Sequence, residues 1–183
     1  MSFSLLYNRW LQAVAQIPSG LDWGITLGLL ALYGVLALPL GFRLGFFRWQ
    51  WVRSPATIAQ TLAIALVFPA LFEESLFRVL LLPLPQHGLD SAGFWGWAGL
   101  MLGVFILAHP LNALVFFPQR KGTFFDPVFL TLAGLLGAMC TVSYWQSFSL
   151  WPPVAIHWLA VGLWLLVLGG DRRMAGEVPG RGE

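Results

Sequence analysis

The sequence predicts an all-α bundle of about five transmembrane helices behind an N-terminal amphipathic helix that lies in the membrane interface. Three observations carry this prediction. Of the 183 residues, 58% are apolar and only 10% charged, with ten tryptophans, a balance that does not suit a soluble domain of this size. Five apolar segments each approach or exceed the roughly 20 helical residues needed to cross a hydrocarbon layer about 30 Å thick. The basic residues collect in alternate connections, as the positive-inside rule requires of a polytopic chain.

In the first segment Phe3, Leu6, Trp10, Val14 and Ile17 recur at helical spacing, with Asn8, Arg9, Gln12 and Gln16 between them. That pattern suits a helix lying in the interface. No Lys or Arg precedes the first apolar residues, and polar side chains interrupt the run before Pro18, so a cleaved signal peptide fits less well. The expected spans follow as Leu21–Phe42, Ala56–Leu82, Ala92–Phe117, Phe124–Trp145 and Leu150–Gly170. Residues 1–170 form one membrane-embedded domain in this reading, and 171–183 a loose cytoplasmic tail.

Arg43, Arg48 and Arg53 follow the first span, Arg120 and Lys121 the third, and Arg172, Arg173 and Arg181 the fifth. The connections around His87 and Ser147 carry no Lys or Arg, so the C-terminus is expected in the cytoplasm and the N-terminus outside. A net charge of +2 spread over segment ends makes no nucleic-acid stripe. The expected partners are the lipid bilayer and a membrane-associated peptide or protein. Small size and compactness suit a bacterial plasma membrane.

The remaining polar features have simple readings. Cys140, the single cysteine, excludes an intrachain disulfide and is expected as a small buried packing residue. Gly24-x-x-x-Gly28, Gly99-x-x-x-Gly103 and Gly134-x-x-x-Ala138 are spacings that allow close helix contact. Asp22 and Asp126 sit at segment ends as helix caps, His87 and Asp90 in a solvated loop, and Thr141, Ser143 and Tyr144 where they can bond between helices or anchor at the interface.

Chemistry concentrates inside the second span, where Glu73, Glu74 and Arg78 interrupt an otherwise apolar run. An ion at mid-bilayer costs about 2.5–3.5 kcal/mol on insertion-derived scales, so such a group faces the bundle interior or a wet cavity. Residues four apart share a helix face, which pairs Glu74 with Arg78 and leaves Glu73 about 100° away as an uncommitted carboxylate. A carboxylate held between a low-dielectric surround and a guanidinium can take a proton from water near neutral pH. Pro69, one turn earlier, is expected to kink the helix and admit water.

His109 and His157 lie inside later spans and are candidates for the same cavity. Phe105 can pack on the His109 ring one turn away, and Pro110 is expected to produce another kink. His157 falls in the first turns of a helix begun by Pro152 and Pro153, a place that suits a neutral imidazole able to donate to a developing oxyanion.

Glu73-Glu74-x-x-x-Arg78, Phe105-x-x-x-His109 and then His157, in order and all in apolar segments, resemble the CAAX protease and bacteriocin-processing (Abi) family of glutamate-dependent intramembrane endopeptidases. The resemblance covers about residues 56–170. It implies an all-helical endopeptidase in which Glu73 activates water with the help of His109, Glu74 and Arg78 orient that carboxylate, and His157 stabilises the oxyanion. One position departs from the pattern: four residues after the third-motif histidine the family often has Asn or Asp, and here stands Val161. Trp158, Val161 and Trp164 suggest a packed apolar face there, with Asn112 as a substitute donor.

The expected chemistry uses no cofactor. Two Glu and two His can in principle make a zinc site, but they lack His-Glu-x-x-His spacing and Arg78 would repel a cation. The alternative function is a catalytically weak or inactive membrane scaffold or maturation factor that keeps the protease fold, and Val161 is its main support. An ion or proton carrier would need polar residues leading to both faces, and spans one and four supply almost none.

Overall fold

The structure is a computed structural model that describes residues 3–83 and 90–176; the His87 loop residue and Arg181 lie outside the described residues. Among the described residues eight helices follow in order, and there is no strand. Helix α1 is Phe3–Ala15, α2 Gly20–Arg43, α3 Pro55–Leu80, α4 Ser91–Val115, α5 Lys121–Phe124, α6 Pro127–Ser147, α7 Trp151–Val167 and α8 Gly170–Met174. Four of them, α2, α3, α4 and α6, are long and apolar enough to cross a membrane, and α7 is a shorter apolar helix.

Local signals set most of the boundaries. Ser19 and Asp22 bond each other's backbone in a capping box that starts α2. Ser54 and Pro55 start α3, and Asp126 and Pro127 start α6, each with a side-chain oxygen accepting a backbone N–H and proline in the first turn. Asp90, expected as a solvated loop residue, caps α4 by accepting from Gly93 N–H at 2.7 Å. Helix α7 is shorter than the expected Leu150–Gly170. Gly169 turns the chain at φ 78°, and the carbonyls of Leu166, Val167 and Leu168 accept from Val52, Gln50 and Arg48 instead of continuing a helix. Its 17 residues reach about 25 Å.

Helix α3 is the irregular one. Phe68 has non-helical angles (φ −130°, ψ 111°) before Pro69, and wide π-type turns run over Leu66–Leu71 and Ser75–Leu80. Such turns are frequent at functional sites. The kink expected at Pro69 is therefore present, whereas α4 stays α-helical through Pro110.

Helix α6 sits at the centre, against α2, α4 and α7, and buries Leu132, Leu136, Gly137, Cys140 and Ser143. The Ser143 hydroxyl meets that of Thr26 on α2 at 3.3 Å, the kind of interhelical bond expected for it. Small residues matter at fewer places than their spacing suggested. A Cβ on Gly24, Gly28, Gly99 or Gly103 would meet nothing within 4 Å, so these mark no close approach, whereas one on Gly134 would come 3.0 Å from Ile106.

The two ends of the bundle differ in charge. At one end the segment after α2 runs beside the last turn of α7, and Arg173 of α8 donates to the Gly45 and Phe46 carbonyls while pairing with Asp126 at 3.6 Å. The first residues of the expected loose tail are thus a docked helix. Arg43, Arg48, Arg53, Arg120, Lys121 and Arg172 belong to the segments that meet at this same end. The other end joins α1, the close of α3 and the start of α7, and there Arg9, expected on a polar face, is buried instead.

Candidate active site

Between its two wide turns α3 makes a short regular stretch, Phe72–Glu74, that aims two carboxylates differently. The Glu74 side chain is completely buried, while 19% of the Glu73 side chain stays exposed. Arg78 Nε lies 3.0 Å from Glu74 Oε2, the i, i+4 pairing that the spacing requires. The approach is off the N–H axis, so it is charge pairing rather than a linear hydrogen bond. Arg78 is fixed twice more: Nη2 donates to the Gly137 carbonyl of α6 at 2.9 Å, and its Cζ lies 4.6 Å from the centre of the Phe105 ring of α4. Its Nη1 is buried without a hydrogen-bond partner among the described residues.

His157 links the two carboxylates. Pro152 and Pro153 start α7, and the imidazole one turn further on is buried with Nδ1 2.6 Å from Glu74 Oε1 and Nε2 3.9 Å from Glu73 Oε2. A carboxylate paired with a guanidinium only accepts, so Nδ1–H is the donor and Nε2 is the ring atom that faces Glu73. Four residues thus form one connected group, Glu73–His157–Glu74–Arg78, spanning α3 and α7 and anchored on α6.

His109 lies outside this group. Its Nδ1 lies 3.0 Å from the Phe105 carbonyl one turn back in α4, and its ring meets Phe105, Phe124 and Phe129 edge-on at 5.0, 5.7 and 5.2 Å. Phe105 is common ground, since its ring also meets the His157 ring, at 6.4 Å. A carbonyl can only accept, so His109 carries its proton on Nδ1 and presents Nε2 as an acceptor.

Sequence reasoning did not reveal several neighbours of this group. Gly137 lets Arg78 reach a backbone carbonyl, which Thr141 Oγ1 shares at 2.8 Å. Cys140 is buried as expected, and it packs beside the group: its Sγ, a Glu74 oxygen and a His157 nitrogen are all within 4.8 Å of one another, while the thiol donates to the Pro153 carbonyl at 3.5 Å. Only the one-turn spacing of Gly137 and Thr141 around Cys140 on α6 hinted at a common face. Val161, one turn after His157, packs in an apolar cluster with Leu136, Cys140 and Ile156, beside Leu29 and Tyr33 of α2. Asn112 contributes its backbone carbonyl, accepting from Phe116 and Phe117.

Thiolate, imidazole and carboxylate are a donor set that zinc accepts. Here the carboxylate is already neutralised by Arg78, and a fixed guanidinium beside it opposes a divalent cation. The arrangement instead suits proton transfer, with one committed carboxylate holding an imidazole and one uncommitted carboxylate next to it.

Residues 55–163 match a family model described as type II CAAX prenyl endopeptidase Rce1-like. The matched range contains Glu73, Glu74, Arg78, His109 and His157. No curated protein and no solved structure matches the chain.

Proposed function

The chain belongs to the Rce1-like family of type II CAAX prenyl endopeptidases, and from that premise we propose that it hydrolyses a peptide bond of a membrane-associated peptide or protein by direct attack of water. The observation that carries this reading is the 3.9 Å gap between Glu73 Oε2 and His157 Nε2. Two acceptors at that separation can both take a hydrogen bond from a single water molecule about 2.8 Å from each.

Glu73 accepts one proton from that water as its oxygen bonds to the carbonyl carbon. The Nε2 lone pair of His157 holds the second O–H, with Glu74 and Arg78 fixing the ring behind it. The tetrahedral oxyanion needs a donor, and with Nε2 holding the water that role goes to Arg78 Nη1, whose N–H makes no hydrogen bond among the described residues. When the C–N bond breaks, the proton held by Glu73 passes to the leaving amine, giving a carboxylic acid and an amine with no covalent enzyme intermediate, and the acid then loses its proton to solvent. His109, with Nε2 as an acceptor, assists from the far side of Phe105 by orienting water or substrate.

The basic end of the bundle supports a cytoplasmic C-terminus, with the basic residues around α5 and α8 on the same side. Val161 favours a second reading, in which the fold is kept by a scaffold that turns over slowly or not at all, because apolar packing stands where the family often has a hydrogen-bonding side chain. One comparison decides between them. Membrane proteomes from cells carrying wild-type or Glu73→Gln protein are compared for chain termini, and the enzyme reading expects an uncut substrate to accumulate in the variant. Identical termini in both would defeat it.

A further inference from the structure

Helix α1 lies outside the family match, yet it is bonded to the helix that carries Glu73 and Glu74 and to the start of the one that carries His157. Its Arg9, only 6% exposed, donates to the carbonyls of Leu80 and Leu82 where α3 ends. A helix leaves its last four carbonyls without intrahelical donors, and a cation is favourable at that negative end. Trp10 Nε1 donates to the hydroxyl of Ser75 at 3.0 Å, the residue directly after Glu74.

The other end of α1 grips α7. The carbonyls of Ala13, Val14 and Gln16 accept from the Leu150 N–H at 2.9 Å, the Trp151 indole at 2.9 Å and the Ser149 hydroxyl at 2.7 Å. Carbonyls left over where α1 ends are thus answered by donors where α7 begins. His157 is six residues beyond Trp151, and Glu74 six residues before Leu80.

This bracing matters because the Glu-bearing stretch of α3 lies between two wide turns and is not stiffened by a regular hydrogen-bond ladder. Nor does Glu73 Oε2 make a hydrogen bond among the described residues that would hold it 3.9 Å from His157. That separation is set by how α3 and α7 sit against each other. We infer that α1 is a clamp that fixes the spacing of Glu73 and His157, with Arg9 as its positioning residue.

The catalytic arm of the test rests on the proposed hydrolysis; the distance arm does not. Spin labels at the exposed positions Phe72 and Leu159, in full-length protein with Cys140→Ala reconstituted in nanodiscs, report the α3–α7 spacing by electron paramagnetic resonance. Arg9→Gln is expected to broaden that distance distribution and to lower kcat on a farnesylated CAAX-motif peptide on the order of 10- to 100-fold with KM unchanged. Arg9→Lys, which can restore one donor and the charge, is expected to recover part of both. If Arg9→Gln fails to accumulate, Trp10→Phe carries the same two measurements.

An unchanged, narrow distribution in the variant that folds overturns the clamp. So does a rise in KM at constant kcat, which would make α1 a substrate-binding element. Should wild-type protein leave the peptide uncut, the proposed reaction fails on that probe and the distance arm alone decides the clamp.

Discussion

His157 Nδ1 and Glu74 Oε1 lie 2.6 Å apart, and this contact decides which face of the imidazole is free for chemistry. With Nδ1–H committed, Nε2 is the atom beside Glu73. His157→Ala is therefore expected to lower turnover by about 10²–10⁴-fold, the range for loss of a positioned acid–base group. His109→Ala, one aromatic ring removed, is expected to cost less in the same assay. A larger loss from His109→Ala would move the water-holding role to α4.

Arg78 pairs with a carboxylate, donates to a carbonyl and lies over a ring at the same time. Lysine offers a point charge without the planar fork, so Arg78→Lys is not conservative here. Arg78→Ala leaves Glu74 buried without its cation and is expected to destabilise the protein by about 3–5 kcal/mol. Arg78→Lys is expected to fall between Ala and wild type in resistance to detergent-induced unfolding. Equal stability of wild type and Arg78→Ala would mean that Glu74 is not held as an ion.

Much of this could be read from the chain because it depends on one helix at a time. The Glu74–Arg78 pair follows from four-residue spacing, the caps of α2 and α6 from Asp22 and Asp126, and the kink in α3 from Pro69. What was not legible depends on pairs of helices. In lipid the surround is as apolar as the core, so hydropathy does not say which face of α6 is buried, and neither Cys140 nor Gly137 announces itself. Arg9 misled for the same kind of reason: a cation among polar residues reads as solvated until the carbonyl ends of α3 come into view. The sequence puts His157 in the cavity, but which of its nitrogens faces Glu73 depends on Glu74 meeting Nδ1 from another helix.

The group of Glu74, Cys140 and His157 makes metal dependence a direct experimental question. Arg78 beside Glu74 predicts that peptide cleavage by purified protein persists after treatment with a strong chelator. Cys140→Ala is expected to leave kcat and KM within about twofold, an effect of less than about 0.5 kcal/mol. Loss of cleavage on chelation with recovery on adding zinc would replace the metal-free mechanism with a zinc-bound one.

Gly137 is where packing and chemistry meet. A Cβ built there would lie 2.7 Å from Leu102 Cδ1, 2.9 Å from Arg78 Nη2 and 3.1 Å from Phe105 Cδ1, so the methyl group of alanine contends with the guanidinium for the same space. Overpacking of this kind costs about 1–3 kcal/mol. The effect on turnover is expected to exceed what that destabilisation explains, because the displaced Arg78 loses the Gly137 carbonyl and carries Glu74 and His157 with it. Gly134→Ala meets only the end of the Ile106 side chain at 3.0 Å and is expected to cost little, while Gly103→Ala meets nothing within 4 Å and serves as the control. Turnover and unfolding measured on the three variants separate the possibilities. A selective loss of turnover in Gly137→Ala supports the linkage from α6 through Arg78 to His157, whereas parallel small losses in all three would show that the group tolerates movement of its guanidinium.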